Sequence, residues 1–405
     1  MAYDGISRRS FLKRCAAVSV AAPMFVSSRA FGANDRIVMG FIGMGGQGRG
    51  DLEGFLGFNE VQAVAVCDVV DDHANMAKKM VDDRYRNRDC KVCRDFRDII
   101  AREDVDAIFI ATPDHWHAII AIEAMKSGKD VYCEKPETLT IREGREIATI
   151  ARRYGRVFSG GSQRVWEDYN WFHKMIYGGR LGEMQEVWVN VGGPSGFCDL
   201  PPQPVPPGVD WDMWLGPAPW RPYHEGLTKG NFRPYSDYSG GGTTDWGCHG
   251  FGGAMFACNV HRTGPVQVIP PDGKDVKNLT FVFENGLRMY HGGGWGGLLT
   301  FKGTQGEIGD NGDRKGRKDI PPMINIPNYK GRGGIAGDFL HCVRTREEPF
   351  RNIEVAHRTA TVAHMGNIAY RLKRPLKWDH VKEEFVGDPE ANRFLDRSRR
   401  APWRL

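Results

Sequence analysis

The 405-residue sequence has no uninterrupted apolar run of the roughly 18 residues that a bilayer-spanning helix needs. It also has little surplus charge. The formal net charge is +5, but residues 1–33 hold five of the 55 basic side chains (Arg8, Arg9, Lys13, Arg14 and Arg29) against the single acid Asp4, which leaves the remainder at +1. Such a balance gives no compositional case for nucleic-acid binding. A cysteine framework is missing too. The nine cysteines are irregularly spaced, and Cys90-Lys-Val-Cys93 is the one CxxC, with neither a second pair nor neighbouring histidines to complete a metal site. We read Cys90 and Cys93 as free thiols or one local bridge, and assign no metal. No internal repeat is evident, and the length suits two domains, each able to bury its own core.

What is present begins with SRRSFLK (Ser7 to Lys13), followed by CAAVSVAAPMFV, an apolar run too short and too broken by Pro23 to span a membrane. Small residues in SSRA and FGA then offer a cleavage site, so residues 1–33 read as a removable signal. The Arg8-Arg9 pair in this setting resembles a twin-arginine signal. That resemblance implies export of the folded protein by the Tat machinery and a periplasmic location. A protein folded before export needs no disulfides.

Arg36 to Ile42 (RIVMGFI) reads as a strand ending in Gly43-Met-Gly45-Gly46-Gln-Gly48, with a helical segment after it. This order suits a dinucleotide-binding turn: Gly43 allows the tight turn, Gly45 and Gly46 let the backbone approach a pyrophosphate, and Gly48 lets helix pack on strand. A second apolar run, Val61 to Cys67, ends at Asp68, where a carboxylate accepts hydrogen bonds from the adenosine ribose. Val69, Val70, Asp71 and Asp72 follow with no arginine, so NAD is favoured over NADP. Strand and helix patterns then alternate to RVFSGG, which predicts a parallel, doubly wound sheet over 34–160. Thr112-Pro113 and Glu134-Lys135-Pro136 fall at the carboxyl ends of two of its strands, on the cofactor edge.

These residues, with ATPDHWH (Ala111 to His117) and DWGCH (Asp245 to His249), resemble the glucose-fructose oxidoreductase and inositol dehydrogenase family (Gfo/Idh/MocA). WLGPAP (Trp214 to Pro219) and the closing APW are similar to its exported bacterial members. The resemblance implies an N-terminal Rossmann domain, a C-terminal α+β domain on a large open, mainly antiparallel sheet, and homo-oligomers paired through that sheet. It places Gly43, Gly45, Gly46, Gly48, Asp68, Thr112, Pro113, His117 and Glu134 at the cofactor, His117 on the nicotinamide side. Lys135, Asp245 and His249 would carry the chemistry. One departure is Gly252, where the family pattern has an acid three residues past the histidine.

The second half, 161–375, contains a Pro-, Gly- and aromatic-rich stretch over 194–242, long for a loop and therefore functional. Its tryptophans and tyrosines suit sugar rings, with oligomer packing as the plain alternative. Asp245 and His249 are four apart, so on one helix the carboxylate could orient the imidazole and raise its basicity. Arg164, Trp166 and Trp246 are candidates for the substrate pocket. NLTFVFENG, LRMYHGG, LLTFKGT and GEIGDNG alternate between glycine turns and predict antiparallel strands, and 376–405 reads as a basic tail docked on a neighbouring subunit. Oxidising a carbinol requires a base at the hydroxyl: His249 exchanges the proton while Lys135 orients the oxygen, or the two roles are swapped. Three functions stay open. The first is NAD-dependent oxidation and reduction of a sugar or glycoside. The second is redox-neutral glycoside cleavage, and the third a non-catalytic sugar-binding protein.

Overall fold

The computed structural model describes residues 36–294, 297–310 and 326–405. The signal read from Arg8 and Arg9 lies outside them, as does part of GEIGDNG. Both apolar runs flanking the glycine turn form strands, and the parallel sheet follows from them. β1 (Ile37–Ile42), β2 (Val61–Cys67), β3 (Lys91–Cys93), β4 (Ala107–Ile110), β5 (Asp130–Cys133) and β6 (Phe158–Gly160) pair in the order β3-β2-β1-β4-β5-β6, all parallel. The order reverses between β1 and β4, which opens a ligand crevice at their carboxyl ends.

Helices cover both faces of this sheet. Helix Asp114–Lys126 is apolar all round because it lies buried, and Ile141–Tyr154 starts at a capping box in which Thr140 and Glu143 satisfy each other's backbone amides. On the other face Phe41, Phe55, Phe109 and Tyr132 form an aromatic core. Phe339, from the distant helix Gly334–Thr345, completes it. That helix therefore packs on the nucleotide half although it lies within 161–375.

The second sheet has eight strands. β7 (Met184–Val189), β8 (Gln267–Ile269), β9 (Leu279–Val282), β10 (Arg288–His291), β11 (Leu299–Gly303), β12 (Gly306–Gly309), β13 (Leu376–Asp379) and β14 (Glu384–Phe385) run in the order β12-β11-β7-β10-β9-β8-β13-β14. Every pairing is antiparallel except β7 with β10. Helices Gly247–Ala257 and Ile353–Leu372 bury one face through Phe251, Met255, Val362 and Met365. The other face keeps Trp188 stacked on Tyr290 at 5.4 Å, both half-buried.

Two expectations change here. Residues 376–385 are not tail but the edge strands of this sheet. The remaining tail docks on its own chain: Trp403 packs edge-on against Trp116 at 4.6 Å, and Arg400 donates to Gly216 O. Among the described residues no helix is long and apolar enough to cross a membrane, and all eight cysteines are free, Cys90 and Cys93 included.

Candidate functional site

The glycine turn is built by steric exclusion. Gly43 has φ +85°, and a Cβ there would lie 2.5 Å from Thr112 N. A Cβ on Gly48 would come within 1.9 Å of Gly43 O. At Gly45 and Gly46, by contrast, nothing stands within 4 Å of that position, so the start of helix Gly46–Leu56 opens into a cavity of about 670 Å³. With no acidic side chain in its first turn, this helix end leaves its amides to an anion. Asp68 pins the turn by accepting from Met44 N at 2.7 Å with one oxygen and from Val70 N at 2.9 Å with the other. A carboxylate has about four acceptor sites, so capacity remains for ribose hydroxyls. Thr112, Pro113, His117 and Glu134 line the same cavity. A pyrophosphate and adenosine ribose fit this donor set, and the residues expected to hold NAD are gathered in one place.

Arg94 lines the adenosine end as well and was not anticipated, because it arrives at the end of β3 rather than just after Asp68. Its Nε donates to Asp71 at 2.9 Å, so the two charges offset each other. His117 lies between two backbone carbonyls. Its Nε2 lies 2.7 Å from Thr112 O and its Nδ1 2.8 Å from Pro136 O, and burial pushes its pKa down to about 4. A neutral imidazole has one N–H, so His117 donates to one of these two carbonyls at a time, and lodged between them it braces the end of β4 against the loop that carries Lys135. Burial also pushes Glu134 well above the usual carboxylate range, with Asp51 as a second cause.

Lys135 does face the crevice, and it meets the second half of the chain there. Its Nζ donates to Asp245 Oδ1 at 2.6 Å. Burial raises the Asp245 pKa, but Lys135 and Arg233 outweigh it and hold the carboxyl below its ordinary value. His249 sits in the helix that follows Asp245, and its pKa is driven well below the usual range first by burial and next by the Lys135 charge.

Asp245 does not hold His249, which corrects the expected pair. Asp245 ends the short helix Gly242–Asp245 and His249 sits in the next one, so the four-residue spacing does not make a shared helix face. The partner of His249 is Ser162, just past β6. Ser162 Oγ lies 3.0 Å from Cys248 O and 2.8 Å from His249 Nδ1. A hydroxyl has one proton. Given to Cys248 O, it leaves Ser162 as acceptor, so Nδ1 carries the ring proton and Nε2 keeps a lone pair. Among the described residues Nε2 has no partner. Only the small residues of SGGS hinted at this contact.

Of the pocket candidates, Trp246 is 43% exposed, its ring 5.8 Å edge-on from His249, and the Arg164 guanidinium lies 5.1 Å over it. Trp166 is elsewhere: it stacks on His173 and abuts Phe256 and Phe350 in a buried cluster, a core role. Gly252 is explained by crowding, since a Cβ would meet Val165 at 2.9 Å and stand 3.5 Å from Arg351 NH1. The fully buried Arg351 has its countercharge in Glu137, 3.8 Å away, just after the Glu-Lys-Pro motif. Asp114 belongs to the ATPDHWH motif and starts helix Asp114–Lys126. It is buried against the cavity, its Oδ2 without a partner among the described residues, and burial raises its pKa to about 7.

The aromatic stretch 194–242 also behaves differently from a sugar-facing loop. Trp211, Trp214, Tyr223 and Tyr238 pack on one another as a small core. This unit folds back over the nucleotide half: Asp210 N donates to Val69 O, Asp71 N to Gly208 O, and Trp116 Nε1 to Met213 O. Met213, Trp214, Phe232 and Arg233 thereby wall the dinucleotide cavity.

Residues 37–162 match the profile of an oxidoreductase family's NAD-binding Rossmann fold, and residues 188–405 match its C-terminal alpha/beta domain. Among curated proteins, a glycosyl hydrolase family 109 protein of Saccharopolyspora erythraea is 35% identical over 130 residues, 31% of this chain and 28% of that protein. An alpha-N-acetylgalactosaminidase of Shewanella oneidensis is 32% identical over 177 residues, 36% of this chain and 37% of that protein. The matches thus span about a third of these relatives. Solved structures agree over far more of the fold. An NAD-binding protein from Listeria innocua gives a TM-score of 0.60 at 21% identity, covering 84% of this chain and 97% of that one. A myo-inositol 2-dehydrogenase from Lactobacillus plantarum gives 0.59 at 18% identity, covering 84% and 99%.

Proposed function

Since the chain belongs to the Gfo/Idh/MocA oxidoreductase family, we propose that it is an exported, NAD-dependent enzyme that moves hydride between a sugar or glycoside hydroxyl carbon and a tightly held cofactor. One observation carries this reading. Lys135 of the nucleotide half reaches Asp245 of the second half at 2.6 Å, and Asp245 stands four residues before His249, whose Nδ1 is held by Ser162 and whose Nε2 has no partner among the described residues. When bound, the dinucleotide supplies the hydride acceptor and, in the reverse sense, the donor.

The protein's own residues manage the proton. His249, kept neutral by burial, accepts it from the substrate hydroxyl through Nε2. Lys135 has three N–H donors and gives one to Asp245, so two remain to orient that oxygen and to stabilise the negative charge it gathers. Trp246 offers an exposed ring beside His249 for a sugar face.

Free NAD is scarce outside the cytosol, so an exported enzyme must carry its cofactor and reset it on a second substrate. The covering segment, which walls the cavity, suits such retention. Redox-neutral glycoside cleavage meets the same constraint, since the hydride is returned, and the match to glycosyl hydrolase family 109 proteins favours it as the second reading. The outer face of the eight-stranded sheet, with Trp188 and Tyr290, is our proposed homo-oligomer surface. Fractionation of the expressing bacterium tests export, since the protein should appear in the periplasm without residues 1–33.

The function is tested on natively purified protein. Its mass should exceed that of the chain by one NAD, and incubation with aldoses, inositols and aryl glycosides should change the nicotinamide absorbance or release aglycone. A protein that carries dinucleotide, yet leaves all these compounds and its own cofactor unchanged, contradicts the proposal.

A further inference from the structure

Asp245 is shared. Its Oδ1 accepts from Lys135 Nζ at 2.6 Å and lies 3.0 Å from Arg233 Nε. Lys135 belongs to the nucleotide half, whereas Arg233 comes from the segment that covers the cavity. Arg233 is held from three directions: NH1 donates to Gly230 O at 3.3 Å, the guanidinium lies 4.9 Å from the Phe232 ring, and Nε reaches Asp245.

From this geometry we propose that Arg233 is a positioning residue of the catalytic site: by taking part of the Asp245 carboxylate it loosens that carboxylate's hold on Lys135, which leaves the lysine anchored yet a stronger donor to the substrate oxygen. The inference rests on the oxidoreductase reading of Lys135.

The surrounding charges make Asp245 the deciding partner. From the nucleotide half, Asp51, Asp114, Glu134 and Glu137 face Lys135, and burial raises the pKa of each. His117, His249 and Cys248, the remaining titratable neighbours, are held neutral by burial. Asp245 alone in this group is held below its ordinary value. It is the carboxylate in direct contact with Lys135, and a second cation on the same oxygen weakens its hold on the first.

The test needs no sugar. Trace reductive methylation of the purified, dinucleotide-carrying protein across a pH series, read by peptide mass spectrometry, follows the free-amine fraction of Lys135. Arg233→Met should move the labelling midpoint upward by about one pH unit, a tenfold loss of free amine at a given pH. Arg233→Lys should restore it. Should Arg233→Met fail to fold, Asp245→Asn serves instead and should move the midpoint downward. If Arg233→Met raises the labelling rate at every pH but leaves the midpoint in place, Arg233 merely pins the segment and the proposal is overturned. An unmoved midpoint in Asp245→Asn overturns it equally. Failure here leaves the hydride-transfer reading intact, and absence of any reaction with sugars would leave the labelling result intact.

Discussion

Ser162, Asp114 and His249 show how single atoms set the chemistry. If Ser162 fixes the proton of His249 on Nδ1, then Ser162→Ala should free the ring to rotate and to exchange tautomers. The expected result is a loss of about tenfold to a hundredfold in turnover with an unchanged half-saturating sugar concentration, measured by steady-state kinetics. Asp114 gives a pH signature. Its folded-state pKa, about 7, stands above the ordinary 3.8. A carboxyl raised on folding contributes stability that is present below its unfolded value and lost as pH rises through the folded one. Asp114→Asn should therefore melt like the parent near pH 4 and above it from pH 7 upward, by on the order of a few kcal/mol; a pH-independent difference in melting would contradict this. Motif and position marked Lys135, Asp245 and His249 as candidates, and the structure brings the first two into contact. Their other partners were not legible, because Ser162 and Arg233 lie far from them in sequence and carry no spacing signal. The Asp245–His249 pairing failed for a local reason: the chain breaks helix at Trp246, which the four-residue spacing cannot reveal.

At the scale of elements, the glycine turn was readable because its requirements are steric. Gly48→Ala puts a methyl group where Gly43 O stands, 1.9 Å away. Dinucleotide affinity should fall by about a hundredfold or more, as titration of the cofactor-free protein with NAD would show, since the turn must shift by more than the 1 Å misplacement that alone costs about that much. Most strands of both halves were readable from apolar runs and alternation, but the short strands β3, β8, β13 and β14 were not. The covering segment was not. Its tryptophans signal burial, but composition does not say whether the buried partner is a sugar, another subunit or the segment itself. The geometry answers with Trp211 stacked on Trp214 at 4.8 Å, a core of its own. Trp166 misled in the same way, being an aromatic near a motif yet packed inward on His173.

For the whole molecule, the two halves are joined by more than the linker at β6. Helix Gly334–Thr345 completes the nucleotide core, and the last residues return to pack on Trp116 and Phe96. Docking within one chain makes a specific prediction. Trp403→Ala should destabilise the protein by about 1–2 kcal/mol, less than the 3–5 typical of a fully buried tryptophan because Trp403 is half-buried. Its effect should not change on dilution. A loss that grows with dilution would mean that the tail belongs on a neighbouring subunit. The basic composition of 393–405 was visible, but its target was not, for Arg397, Arg399 and Arg400 bind carbonyls and carboxylates that any surface might offer.

The central claim is that Lys135 and His249 act together on one substrate oxygen as hydride leaves the adjacent carbon. Isotope transfer tests it most directly. Protein carrying oxidised cofactor is mixed for a single turnover with aldoses, inositols and aryl glycosides deuterated at their carbinol carbons, and the dinucleotide is then recovered and weighed. We predict deuterium in the dinucleotide from at least one of these compounds. Lys135→Met should abolish it and His249→Asn should slow it by about a hundredfold or more, although both variants still bind NAD. Undiminished label transfer in Lys135→Met, or substrate conversion with no deuterium reaching the cofactor, would contradict the account.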